Sequence, residues 1–171
     1  MPTKDRKISN RIFPNLQKSP DGIRKTIHSL SGLEYLQAVK NGKIIPPPVM
    51  KLVGYQIAEI EDGRAVFDLF VKESHCNPVG IVQGGLLGTV LDASMASAIH
   101  TKLPAGMSYP TLELKINFIR PVSIEVQRVL CESKVIHVGR QIGLAEGRVL
   151  DEKGNLYAHG TTTCLIFFPK R

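Results

Sequence analysis

Two groups in this chain have the types and the spacing for acid/base chemistry on a polarised electrophile. One is the pair Gly84-Gly85, and the other is Asp92, eight residues on from Gly84. Both lie in NPVGIVQGGLLGTVLDASMASAIH, the stretch from Asn77 to His100. After Gln83 this stretch becomes a run of small and apolar residues whose one charge is Asp92. Such a composition predicts a helix buried nearly all round. The first amides of a helix have no intrahelical acceptor, and glycine lets a ligand come close to them. A carboxylate inside an apolar helix is costly to bury unless it is paired or used. Together they read as a helix N-terminus that polarises an electrophile and a carboxylate that moves a proton or attacks. The plainer readings are a structural carboxylate at Asp92, a Gly-Gly pair kept for close packing, and an ordinary turn at Asn77-Pro78.

The elements that must position these groups follow from the rest of the chain. Its 171 residues fit one domain with a real core. Cys76, Cys131 and Cys164 are widely spaced and form no CxxC pair, which points away from a disulfide framework or a zinc cluster. No apolar leader opens the chain, and no segment reads as a bilayer span. A cytoplasmic protein without a membrane partner is expected. The net charge is +7, and residues 1–50 hold nine Lys/Arg against three Asp/Glu. Residues 1–30 therefore read as a basic arm, partly disordered or helical, and residues 31–171 as the folded domain. No nucleic-acid motif accompanies the charge, so nucleic acid is not an expected partner.

Apolar residues at three- and four-residue spacing from Asp21 to Lys40 predict one or two short helices, with Ser31-Gly32 as a divider and Asn41-Gly42 as the stop. Pro46-Pro47-Pro48 predicts an extended connector. Strands are expected at Lys51–Ile60 and Arg64–Val71 around the turn Glu61-Asp62-Gly63. The helix follows at about Gly84 to Thr101. Four strands come next, at Ser108–Ile119, Glu125–His137, Gln141–Asp151 and Asn155–Phe168. In the first of these, Leu112, Leu114, Ile116 and Phe118 should face one way, with Glu113, Lys115 and Asn117 opposite. Hairpin-length connections imply an antiparallel sheet, and the fold class is α+β.

At this point the sequence resembles the hotdog-fold acyl-CoA thioesterases of the phenylacetate-degradation type. The resemblance runs through SGLEYLQAVKNGKIIPPPVMKLVGY, NPVGIVQGGLLGTVLDASMASAIHTKLPAG, TLELKINFIRP, VIHVGRQIGLAEGRV and GNLYAHGTTT. It implies an antiparallel sheet wrapped around a long central helix, with an N-terminal helical extension. It also implies homodimers, often paired into tetramers. By the same resemblance Asn77 orients the thioester or the water, the Gly84 N–H polarises the thioester carbonyl, and Asp92 is general base or nucleophile. Thr111 then sits beside that carboxylate. Gln83 stands where many relatives have His, and an amide can bind a carbonyl but cannot shuttle protons near neutral pH. Gly85 belongs to the same substrate-facing turn. No cofactor or metal is implied beyond coenzyme A as part of the substrate.

Helix geometry adds a constraint. Gly84 and Asp92 would stand about 12 Å apart along the axis and about 80° apart around it. Both could hardly reach one thioester carbon from one chain. Each site is therefore expected to join Asn77 and Gly84 of one subunit to Asp92 and Thr111 of another. Coenzyme A would bring phosphates, for which Arg120, Arg128, Lys134 and Arg140 are candidates, with Gly139 allowing backbone approach. A non-catalytic acyl-CoA sensor and a hotdog hydratase or dehydratase are the competing readings. The dehydratase reading lacks a His to match Asp92.

Overall fold

The computed structural model describes residues 29–168. The predicted arm, residues 1–30, lies almost wholly outside them, and with it the helical spacing before Ser29. Three helices and six strands follow in the order α1 (Gly32–Lys40), α2 (Pro48–Val53), β1 (Tyr55–Glu61), β2 (Arg64–Phe70), α3 (Gly84–Thr101), β3 (Thr111–Phe118), β4 (Arg128–Val138), β5 (Ile142–Asp151) and β6 (Leu156–Leu165). No helix among the described residues is long and apolar enough to cross a membrane.

The six strands form one antiparallel sheet in the order β1-β2-β4-β5-β6-β3. The central helix α3 packs across β2, β4, β5 and β6. Alternation along the strands directs Ala65, Phe67 and Leu69 of β2, Val129 and Cys131 of β4, and Ala145 and Val149 of β5 into the core, all buried. Leu87, Val90, Leu91, Met95, Ala98 and Ile99 meet them from α3. Ser94 pins the helix to the sheet, its hydroxyl reaching the carbonyls of Cys131 at 2.7 Å and Ala65 at 3.3 Å. Glycine is required where β5 and β6 pass under the helix. A Cβ on Gly147 would stand 2.8 Å from Leu91 and 2.9 Å from Met95.

The helix α1 begins at Ser31, whose hydroxyl accepts from the Glu34 amide while the Glu34 carboxylate accepts from the Ser31 amide. A capping box of this kind satisfies two amides that the helix start leaves without an intrahelical acceptor. Asn41 ends the helix as expected.

Several expectations are corrected. Residues 51–53 do not open a strand, since they close α2, and β1 starts at Tyr55. Pro48 fills the first helical position, where its missing N–H costs nothing, so the proline run is a helix start as well as a connector. Strand β3 starts at Thr111 and not at Ser108. Residues 124–126 form a 3₁₀ turn before β4. The central helix is not buried all round in the single chain, because Gly85 and Thr89 are exposed and Asp92, Ala93 and Ala96 are only half-buried.

Candidate active site

The site is built on α3 and on the loop that feeds it. That loop is tied down residue by residue. The Asn77 side-chain oxygen accepts from the amides of Val79 and Ile81, both at 3.1 Å. The Asn77 amide donates to the Ile81 carbonyl at 2.7 Å, and the Gln83 amide donates to the His75 carbonyl at 2.9 Å. The His75 ring accepts from the Lys72 amide at 3.2 Å and also bonds the backbone of Val53. Burial first, and then the nearby Lys72 charge, hold this imidazole below its ordinary pKa.

Gln83 is the N-cap residue of α3, and its side chain makes no capping hydrogen bond. Neither the Gly84 nor the Gly85 amide has a hydrogen-bond acceptor among the described residues. The helix thus presents two unspent donors at its positive end. Gly84 also has a packing reason, since a Cβ there would press against the Phe118 ring at 3.1 Å, while Gly85 has open space around it. In front of Gly84 lies a cleft of about 340 Å³, lined by Asn77, Ile81, Gly84, Leu87, Phe118 and Arg120 among others.

Asp92 lies two turns along α3, and its Oδ1 accepts from the Thr111 hydroxyl at 2.9 Å. Burial raises the Asp92 carboxyl above the ordinary aspartate value, and the Thr111 bond works against that rise. The contact depends on a register shift in β3. Thr111 pairs with Cys164, but Glu113 pairs with Thr163, so Leu112 is an extra residue. Strict alternation would put Thr111 with Glu113 on the outer face of the sheet. The bulge turns it to the helix side, beside Leu114 and Ile116. Leu112 is therefore not part of the regular inner row, and it stands 59% exposed.

The predicted residues fall into two groups. Asn77, Gly84 and Arg120 share the cleft, with Gln83 and Gly85 at its helix end. Asp92 and Thr111 form the second group and do not line it. Gly139 and Arg140 sit in the β4–β5 turn, and the pairings Val138–Gly143, Gly143–Cys164 and Cys164–Thr111 put that turn at the Thr111 end of the sheet. Phe118 and the cleft are at the far end of β3, so one chain does not bring Gly139 and Arg140 to Gly84. Two further phosphate candidates are already engaged. Arg128 pairs with Asp68 at 2.7 Å and Glu152 at 3.2 Å, and Lys134 pairs with Glu146 at 3.1 Å.

Two residues near Asp92 were not singled out from the sequence. The Tyr55 hydroxyl is pushed up to about 12 by burial and, second, by the Asp92 charge. The Cys164 thiol is raised chiefly by burial and lies 4.0 Å from the Thr111 hydroxyl. Only their places on the inner face of the sheet would have marked them. Among the described residues no group of three or more His, Cys, Asp or Glu is arranged to hold a metal ion.

Comparison with known proteins bears on this arrangement. The family model described as the thioesterase superfamily matches residues 79–158, which include Gly84, Asp92 and Thr111. A Saccharolobus solfataricus protein named "putative esterase" is 30% identical over 110 residues, covering 64% of this chain and 76% of that one. A 1,4-dihydroxy-2-naphthoyl-CoA hydrolase from Listeria monocytogenes is 25% identical over 118 residues, covering 69% and 94%. Among solved structures, a phenylacetic acid degradation-related protein of Ralstonia eutropha, titled a "putative thioesterase", superposes with a TM-score of 0.70 at 29% identity, over 77% of this chain and 98% of that chain. The PaaI protein of the E. coli phenylacetic acid degradation operon has the same fold, with a TM-score of 0.69 at 19% identity over 80% and 96%. An antiparallel sheet around one long helix, an uncapped Gly-Gly helix start and these relatives agree, and the chain belongs to the thioesterase superfamily as a hotdog-fold thioester hydrolase.

Proposed function

We propose that the protein hydrolyses an aryl- or short- to medium-chain acyl-CoA to the free acid and coenzyme A, at a site shared between two copies of the chain. The observation that carries the reading is the 2.9 Å bond from Thr111 to a half-buried Asp92 on the helix that also offers the free Gly84 amide. The coenzyme A ester is supported by the name of the Listeria hydrolase, and the aryl group by that name and by the link of the Ralstonia protein to phenylacetic acid degradation.

In this reading the thioester carbonyl oxygen accepts from the Gly84 N–H, aided by the helix dipole, as it gains negative charge. Asp92 takes a proton from water while the water oxygen bonds to the carbonyl carbon, or its carboxylate attacks directly. On the general-base route, collapse of the tetrahedral adduct breaks the C–S bond, releases the free acid and gives the coenzyme A thiolate the proton that Asp92 took from water. On the direct-attack route, collapse expels the thiolate and leaves an acyl anhydride on Asp92. Water then hydrolyses the anhydride to the free acid, restoring the carboxylate and supplying the thiolate's proton. Asn77 orients the ester, and Arg120 receives a phosphate at the rim of the cleft. Gly139 and Arg140 serve the same purpose from the second copy.

The second copy is supported by the edge strand β3. It leaves its backbone edge unpaired among the described residues and exposes Leu112, Leu114 and Phe118. Antiparallel pairing of two such edges sets the Thr111 end of one against the Phe118 end of the other. That brings one copy's Asp92 towards the other's Gly84.

The test is free-thiol release from a panel of aryl, short, medium and long acyl-CoAs, wild type beside Asp92→Ala. Turnover of the aryl or shorter esters, reduced about a hundredfold or more by the substitution, is the expected result. Turnover that survives Asp92→Ala would remove Asp92 from the chemistry.

A further inference from the structure

We infer that the corner formed by the end of α1, the proline run and α2 docks on an anionic lipid surface. Its cationic members are Lys40, Lys43 and Lys51, and its apolar members are Ile45, Val49 and Leu52. Leu52 at 85% and Ile45 at 79% are the two most exposed large apolar side chains among the described residues. Helix α2 buries only Met50, which leaves Val49 and Leu52, three apart, on one outward face. The three lysines are exposed and have no ion pair among the described residues, unlike Lys102 with Asp62 or Lys134 with Glu146.

Charge complementarity names the partner's sign. No Asp or Glu occurs from Tyr35 to Ala58. Among the described residues from Ser29 to Ala58, Lys40, Lys43 and Lys51 stand against Glu34 as the one carboxylate. The aliphatic tips name the partner's class. A nucleic acid has nothing to offer Ile45 and Leu52. A protein would need a recess shaped to these exposed tips. A bilayer interface accepts isolated apolar tips while its anionic headgroups meet the lysines. The expectation of no membrane partner came from the lack of a spanning segment, which speaks to crossing and not to surface docking. The corner is also coupled to the candidate site, because Val53 at the end of α2 bonds the His75 ring, two residues before Asn77.

The test is co-sedimentation of the full chain with vesicles of phosphatidylcholine, alone or with about a third phosphatidylglycerol, at low and high salt. Binding to the anionic vesicles only, weakened by salt, is expected. Ile45→Ser with Leu52→Ser should weaken it about tenfold with unchanged melting and size. Lys40→Gln, Lys43→Gln and Lys51→Gln together should weaken it about a hundredfold. Undiminished binding of the double serine variant would leave only non-specific attraction of the basic segment and overturn the proposal. So would a smaller particle for that variant, which would show that a second copy covers the corner. Salt-sensitive binding to polyglutamate without any to vesicles would assign the corner to an acidic protein instead.

Discussion

Thr111 and Asp92 share a bond whose loss has a definite sign. A donated hydrogen bond favours the charged carboxylate, and burial disfavours it. Thr111→Val keeps the β-branched shape and removes the donor. The Asp92 pKa then rises further, and the acid limb of kcat/KM on a turned-over acyl-CoA shifts to higher pH. A pH profile of wild type and variant checks this, and an unmoved limb would show that another group sets it. The chemistry-bearing types were legible in the sequence here, since Asp92 is the one charge in an apolar run and Gly84-Gly85 opens it. The side of β3 on which Thr111 stands was not. A period of two puts it with Glu113, and a bulge leaves no mark when the extra residue is an ordinary Leu.

Among the elements, α3 is legible to its ends because small and apolar residues, interrupted by Asp92 and His100, run from Gly84 to Thr101 between Gln83 and Lys102. Helix α2 was missed because Val49, Met50, Leu52 and Val53 after three prolines carry the composition of a strand, and six residues are too few to show a period. The C-terminal turn of α3 carries a second titration. His100 is buried, bonded through Nδ1 to the Tyr109 hydroxyl at 2.9 Å and stacked on that ring, with Tyr35 on its other flank. Burial pushes its pKa from 6.5 down to about 4. The folded chain therefore stays neutral where the unfolded chain takes a proton. Stability from this group is complete above about pH 6.5 and is lost as pH falls towards 4, by about 3 kcal/mol in all. Denaturant unfolding at pH 7 and near pH 4.5 should show the loss, and His100→Gln should shrink it. The same pH slope in the variant would place the acid sensitivity elsewhere.

For the whole molecule, the separation of Gly84 from Asp92 along one helix becomes a genetic test of the shared site. Gly84→Pro removes the amide donor, and Asp92→Ala removes the carboxylate. Each homodimer should be inactive, while a mixed dimer regains one intact site of two and about half of the wild-type rate per mixed dimer. Thiol release from co-refolded chains measures it, and activity no higher than that of the parents would put each site within a single chain. The two edges of the sheet carry a further consequence. Among the described residues β3 is open, but β1 at the other edge carries Glu59 and Glu61, a register shift, and the cover of α1 and α2. A sheet with one bonding end and one blunt end has a valence of one. Once a second copy has taken that end no strand is left for a third, so edge pairing stops at a closed pair and does not grow into a fibre.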